Sequence, residues 1–96
     1  MIACTVGGFE RVERVEQWHA MLADVIVREA IPDGVRLSFD PAKIRIGELA
    51  ELASAEAGCC SFFDLTLHLG EPPTLEVRAP PDALVLVHEL FGEPGA

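Results

Sequence analysis

The chain has few basic residues, and this limits its partners. Seven Lys and Arg residues stand against sixteen Asp and Glu residues, giving a formal net charge of −9, and Lys43 is the only lysine. Neutralising nucleic-acid phosphates needs a basic stripe, so a nucleic-acid-binding surface is excluded. Docking on anionic lipid is disfavoured for the same reason, and we predict no membrane partner. The composition is compatible with metal ions, other cations, neutral ligands and a second copy of the chain in a homodimer.

The sequence also lacks a long hydrophobic run and an even set of cysteines. No segment approaches the ~18 apolar residues of a membrane span. The start of the chain shows no basic segment followed by a long apolar core, which would mark a secretory signal. Three cysteines, two of them adjacent at Cys59 and Cys60, do not resemble a secreted disulfide framework. We therefore expect a cytoplasmic protein with reduced thiols.

Length and hydrophobic patterning predict one domain spanning residues 1–96. Half of the residues are hydrophobic, enough for a single core. The pattern predicts the order β-α-β-β-α-β-β-α, a two-layer α+β sandwich with the helices on one face of a mostly antiparallel sheet. The predicted strands cover residues 2–6, 27–31, 35–39, 61–69 and 74–79, and the predicted helices cover 9–26, 40–58 and 80–91.

Several local assignments follow from these patterns. Asp40 is expected to cap the second helix, with Pro41 at its first position. Arg14 is expected on the solvated face of the first helix, paired with neighbouring acidic residues. The buried stripe of that helix is predicted to be Val12, Val15, Trp18, Leu22, Val25 and Ile26. Strict alternation after the cysteines predicts one strand face of Phe63, Leu65, Leu67 and Leu69, with Phe62 on the opposite face.

The segment Glu56-Ala57-Gly58-Cys59-Cys60 carries the most specific chemistry. Helical spacing allows Glu56 to share one end of one helix face with both cysteines. Thiolate pairs bind thiophilic ions such as Hg(II), Cu(I), Zn(II) or As(III), because soft sulfur matches a polarizable cation. Cys4 is the candidate third ligand, and Glu56 could accept the thiol protons released on binding.

Two physical factors oppose this metal site. Adjacent side chains diverge on a regular helix or strand, so both cysteines reach one ion only if the junction is irregular, which Gly58 permits. The negative end of a helix dipole disfavours thiolate, so a metal ion or a local cation must stabilise it. The alternative interpretation is that the cysteines are small buried hydrophobes. A Cys–His nucleophilic dyad is also open, although His19, His68 and His88 are expected at boundary or solvated positions.

The residues Ile2-Ala3-Cys4-Thr5, the Trp18 helix and Glu56-Ala57-Gly58-Cys59-Cys60-Ser61-Phe62-Phe63 carry a resemblance over nearly the whole chain. It resembles a largely uncharacterised family of small actinobacterial-type proteins. They have an Ile-Ala-Cys-Thr start and a Glu-x-x-Cys-Cys-x-Phe motif, and are similar to segments found with mercury-responsive-type regulators. The resemblance implies that Cys4, Cys59, Cys60 and Glu56 belong to one site.

Together these observations predict a module that binds or senses a thiophilic metal ion such as Hg, Zn or Cu. A thiol-dependent enzyme is the first alternative, performing organomercurial cleavage or thiol exchange with one cysteine as nucleophile and Glu56 as proton donor. A dimeric ligand-sensing or structural domain with buried cysteines is the second.

Overall fold

The secondary structure follows the predicted order wherever it is described. The computed structural model describes residues 8–59 and 62–94, with side chains described for 12–58 and 62–94. The predicted first strand, residues 2–6, lies outside the described residues. The elements are α1 (Gly8–Leu22), β1 (Val25–Ile31), β2 (Gly34–Phe39), α2 (Ile46–Cys59), β3 (Asp64–His68), β4 (Thr74–Arg78) and α3 (Leu84–Phe91), with a 3-10 turn at Pro81–Ala83 before α3.

The four described strands form one antiparallel sheet in the order β1-β2-β4-β3. The β1–β2 hairpin turns at Pro32-Asp33, where Asp33 has a φ of 62°. Strand β4 lies between β2 and β3, and its backbone at Val77 approaches Gly34 so closely that a Cβ there would collide with the Val77 carbonyl. The fold is therefore α+β, as predicted.

The core lies between one face of this sheet and the three helices. The inward residues of β2 and β4 are fully buried, which confirms the alternation predicted for these strands. Fully buried side chains of all three helices join the same cluster. The largest hydrophobic side chains that are completely buried are Trp18, Val35, Leu37, Phe39, Leu49, Leu75, Val77, Val87 and Phe91.

Two predicted helix boundaries are wrong, and in both cases local backbone geometry explains why. Helix α2 begins at Ile46 because Asp40 forms a separate turn. Its Oδ1 accepts the Ala42 N–H at 2.9 Å, and its carbonyl accepts the Lys43 and Ile44 amides at 3.1 and 3.0 Å. Helix α1 ends at Leu22 because the β-branched residues that follow enter β1. A register shift after Val25 leaves Ile26 56% exposed, and Val12 is 60% exposed, so neither belongs to the buried stripe.

The alternation predicted for residues 61–69 holds only over β3 itself. Leu65 and Leu67 pack against the core, whereas Leu69 follows the strand and is 73% exposed. Phe62 precedes the strand and packs against the core, with its ring tilted 57° to that of Phe63 at 4.6 Å between centroids, so the two do not take opposite faces. No helix among the described residues is long and apolar enough to cross a bilayer.

Candidate functional site

Glu56 is a fully buried carboxylate in the last turn of α2. Its side chain has no solvent exposure, although charged residues are seldom buried unless they are paired. The indole Nε1 of Trp18 donates a hydrogen bond to Glu56 Oε1 at 2.9 Å. This contact joins α1 to α2 across 38 positions of the chain. Trp18 is itself fully buried, so the bond forms in a medium of low polarity, where it is stronger than in water.

Arg14 supplies a positive charge to the same carboxylate oxygen. Its Nη1 lies 3.6 Å from Glu56 Oε1, and its side chain is 15% exposed. Arg14 and Trp18 are four residues apart on α1 and therefore share a face of the helix. The predicted solvated position for Arg14 is wrong, because this face turns toward α2. Arg14 Nη1 is buried and makes no hydrogen bond, so its interaction with Glu56 is electrostatic at longer range.

Of the three cysteines, only the backbone of Cys59 is described. Helix α2 ends at Cys59, three residues after Glu56, so the predicted helix end near Gly58 is confirmed within one residue. The side chain of Cys59 and all of Cys4 and Cys60 lie outside the described residues. Their convergence on one ion stays a prediction. Among the described side chains, no cluster of three or more His, Cys, Asp or Glu residues could hold a metal ion.

A chain of aromatic contacts leads from Trp18 to Phe62, which follows the cysteines in the sequence. The Trp18 and Phe91 rings meet edge to face at 4.8 Å, and Phe91 meets Phe63 in the same way at 5.8 Å. Phe63 in turn contacts Phe62, the first described residue after Cys59. Glu56 and Phe62 are thus both connected to Trp18 through contacts between described side chains. Such edge-to-face pairs are each worth ~0.5–1.5 kcal/mol beyond the area they bury.

A second buried carboxylate, Glu76, lies on the face of the sheet that no described helix covers. Arg36 donates to Glu76 Oε2 through Nε at 2.9 Å and Nη2 at 2.8 Å, and Arg78 Nη1 donates to Oε1 at 2.9 Å. His68 Nε2 lies 3.6 Å from the same Oε1 and is half exposed. The hydrogen bond from Arg36 is the main cause that lowers the pKa of Glu76, with Arg78 adding to it and burial opposing it.

Sequence reasoning named Glu56 as a site residue but missed its burial and its partners on α1, and it missed the cluster around Glu76. Outward alternation places Arg36 and Glu76 on one side of the sheet, but the pairing of β2 with β4 was not predicted, and only that pairing sets them opposite each other. For Glu56, the available signal was a charged residue amid the apolar and small residues of α2. Its partners on α1 could not be named without the packing of the two helices.

A groove of about 420 Å³ runs between α1 and α2, lined by Gln17, Ala20, Met21, Glu48, Glu51, Leu52 and Ala55. Glu56 is not among the residues that line it. Comparisons with family models, with curated proteins and with solved structures found no match for this chain.

Proposed function

We propose that the protein binds or senses a thiophilic metal ion through Cys59 and Cys60, with Cys4 as third ligand and Glu56 supporting the site. Hg(II), Zn(II) and Cu(I) are the candidate ions, because soft sulfur ligands favour them. The observation that carries the proposal is the buried Glu56 carboxylate, held by Trp18 and Arg14 one helical turn before Cys59.

Burial of Glu56 favours a functional role over a purely structural one. Removing a carboxylate and a guanidinium from water is expensive, and an apolar pair of similar volume is often as stable or more stable. A charged pair retained in such surroundings, one helical turn before Cys59, therefore favours a role other than stability. A carboxylate at this position can accept protons from thiols that lose them on binding a metal ion.

Arg14 supports the proposal through its charge. The C-terminal end of a helix and the net charge of −9 both disfavour a thiolate near Cys59. A guanidinium carried by α1 to the last turn of α2 counters this effect, because cations close to cysteine favour the thiolate form. The resemblance to the family with a Glu-x-x-Cys-Cys-x-Phe motif is a second line of support, since it groups the same four residues.

The test is metal titration of the folded protein by fluorescence and absorbance. Trp18 is the only tryptophan and the chain has no tyrosine, so intrinsic emission reports on the indole bonded to Glu56. We expect Hg(II) or Zn(II) to change this emission until one ion is bound per chain. Hg(II) should also produce thiolate-to-metal charge-transfer absorbance. Cys4→Ser, Cys59→Ser and Cys60→Ser should each lower the affinity or abolish the signal.

A pair of variants in α2 provides the control for Glu56. Glu56→Gln should weaken metal binding, whereas Glu51→Gln, an exposed change on the same helix, should leave it unaltered. If the thiols react only after unfolding and the cysteine variants titrate as the parent does, the metal site is wrong and the cysteines are core residues. Product release from an organomercurial at substoichiometric protein would instead favour the thiol-dependent enzyme.

A further inference from the structure

A second cleft opens where the C-terminal ends of α1 and α3 meet β1. Its volume is about 330 Å³, near the lower end of the ~300–1,000 Å³ typical of small-molecule sites. The cleft combines apolar side chains with one arginine and two exposed polar residues. The lining includes His19, Leu22, Arg28, Glu89, Leu90 and Phe91. Glu56, whose side chain is described, is not among the residues that line this cleft.

Arg28 differs from the other arginines whose side chains are described. Arg14, Arg36, Arg45 and Arg78 each have a carboxylate oxygen at 3.6 Å or closer. Arg28 forms no ion pair within the described part of the chain. Its Nε donates a hydrogen bond to the carbonyl oxygen of Phe91 at 2.9 Å, which fixes the plane of the guanidinium. Within the described ranges, no hydrogen bond or ion pair engages its two terminal nitrogens, which can bind another group.

The backbone at the end of α3 is shaped to accommodate this arginine. Gly92 follows the helix with a φ of 94°, a conformation that L side chains rarely adopt. A Cβ on Gly92 would also lie 3.0 Å from Arg28 Cζ and 3.1 Å from its Cδ. Glycine is thus required both by the backbone and by the arginine side chain that crosses the helix end.

We propose that this cleft binds a small apolar molecule that carries one carboxylate group. An oriented guanidinium offers parallel N–H donors that match the two oxygens of a carboxylate. Leu22 and Leu90 each show a small exposed edge at the cleft for the apolar part of the ligand, whereas Phe91 is fully buried and contributes the carbonyl oxygen that holds Arg28. Glu89 and the net charge of −9 disfavour anions of higher charge, so a monocarboxylate fits the cleft better than a phosphate.

Benzoate is a suitable probe, with benzamide as its neutral counterpart of nearly the same shape. In ¹H–¹⁵N correlation spectra of the full chain, benzoate should cause saturable shifts of the Gly92 amide and the Arg28 Nε–H. Benzamide should bind at least about tenfold more weakly than benzoate, because it cannot form charge-assisted hydrogen bonds with Arg28. Equal affinity for the two compounds, no saturable shift with benzoate, or tighter binding of inorganic phosphate would overturn the proposal.

Three variants locate the interaction. Arg28→Gln should weaken benzoate binding roughly tenfold or more, whereas Arg45→Gln, on an exposed part of the chain, should not change it. Arg28→Lys keeps the positive charge but loses the planar guanidinium, so this variant should also bind benzoate more weakly than the parent does. It provides the test if Arg28→Gln does not fold. Gly92→Ala should displace Arg28 and weaken binding. Parental affinity in Arg28→Lys and in any folded Arg28→Gln would contradict the assignment.

Discussion

Two carboxylates are buried among the described side chains, Glu56 and Glu76, and they lie on opposite sides of the sheet. Glu76 lies on the open face of the sheet, where two arginines engage both of its oxygens and remain over one-third exposed themselves. Glu56 lies in the core, where the Trp18 indole N–H and the Arg14 guanidinium approach Oε1. Glu76 is accounted for by cross-strand pairing. Glu56 lies in the last turn of the helix that ends at Cys59, and neither cross-strand pairing nor surface pairing explains a carboxylate in the core there.

The largest expected effect comes from breaking the buried cluster with Glu56→Ala. The substitution leaves the Trp18 N–H and the Arg14 guanidinium buried without this acceptor. Breaking one side of a buried ion pair typically costs ~3–5 kcal/mol of unfolding free energy. Urea denaturation followed by far-ultraviolet circular dichroism measures the change, with Glu51→Ala as an exposed control on the same helix. A loss similar to that of the control would show that Glu56 contributes little to stability.

A smaller effect, with a defined pH dependence, is expected for Glu76→Gln. The pKa of Glu76 in the folded protein is lowered from 4.5, chiefly by the hydrogen bond from Arg36. Its ionised form therefore stabilises the fold fully above the unfolded value, and this contribution is lost as the pH falls below 4.5 through the folded value. The stability difference between parent and variant should be present at pH 7 and shrink toward pH 3 in denaturation experiments. A difference that is constant or larger at acidic pH would contradict this account.

The smallest effect is expected for Arg45→Ala, which removes an exposed ion pair. Arg45 and Glu48 are 78% and 57% exposed, and their charged groups lie 3.1 Å apart. Exposed pairs of this kind contribute ~0.3–0.5 kcal/mol or less, because water and salt screen them. The same urea titration should detect almost no change, and added salt should not widen the difference. A loss of unfolding free energy as large as that of Glu56→Ala would mean that burial does not set the order of these three effects.

Sequence patterns predicted the described strands and helices well where one face is buried by packing. The alternation of Val35, Leu37 and Phe39 and the turn at Pro32-Asp33 needed no tertiary information. The start of α2 was predicted wrongly because Asp40 is equally suited to capping a helix and to forming an isolated turn. Which of the two forms depends on the neighbouring chain, and here the Asp40 amide bonds to the carbonyl of Asp24 at 2.8 Å.

For the candidate site too, local spacing predicted one part and tertiary packing was needed for the other. Helical spacing was enough to put Glu56 near the end of α2, one turn from the cysteine doublet. Its burial and the identity of its partners required the packing of α1 on α2. The expected meeting of Cys4 with Cys59 and Cys60 stays a prediction, to be tested by the metal titration described above.

Composition and periodicity are local properties of the chain, and they were enough to predict an acidic α+β domain with a cysteine doublet at the end of a helix. The packing of the elements was needed to place Trp18 and Arg14 against Glu56, Arg36 and Arg78 around Glu76, and Arg28 at a cleft. These contacts join residues far apart along the chain, and their strength depends on how completely the packing excludes water. No local pattern carries that information.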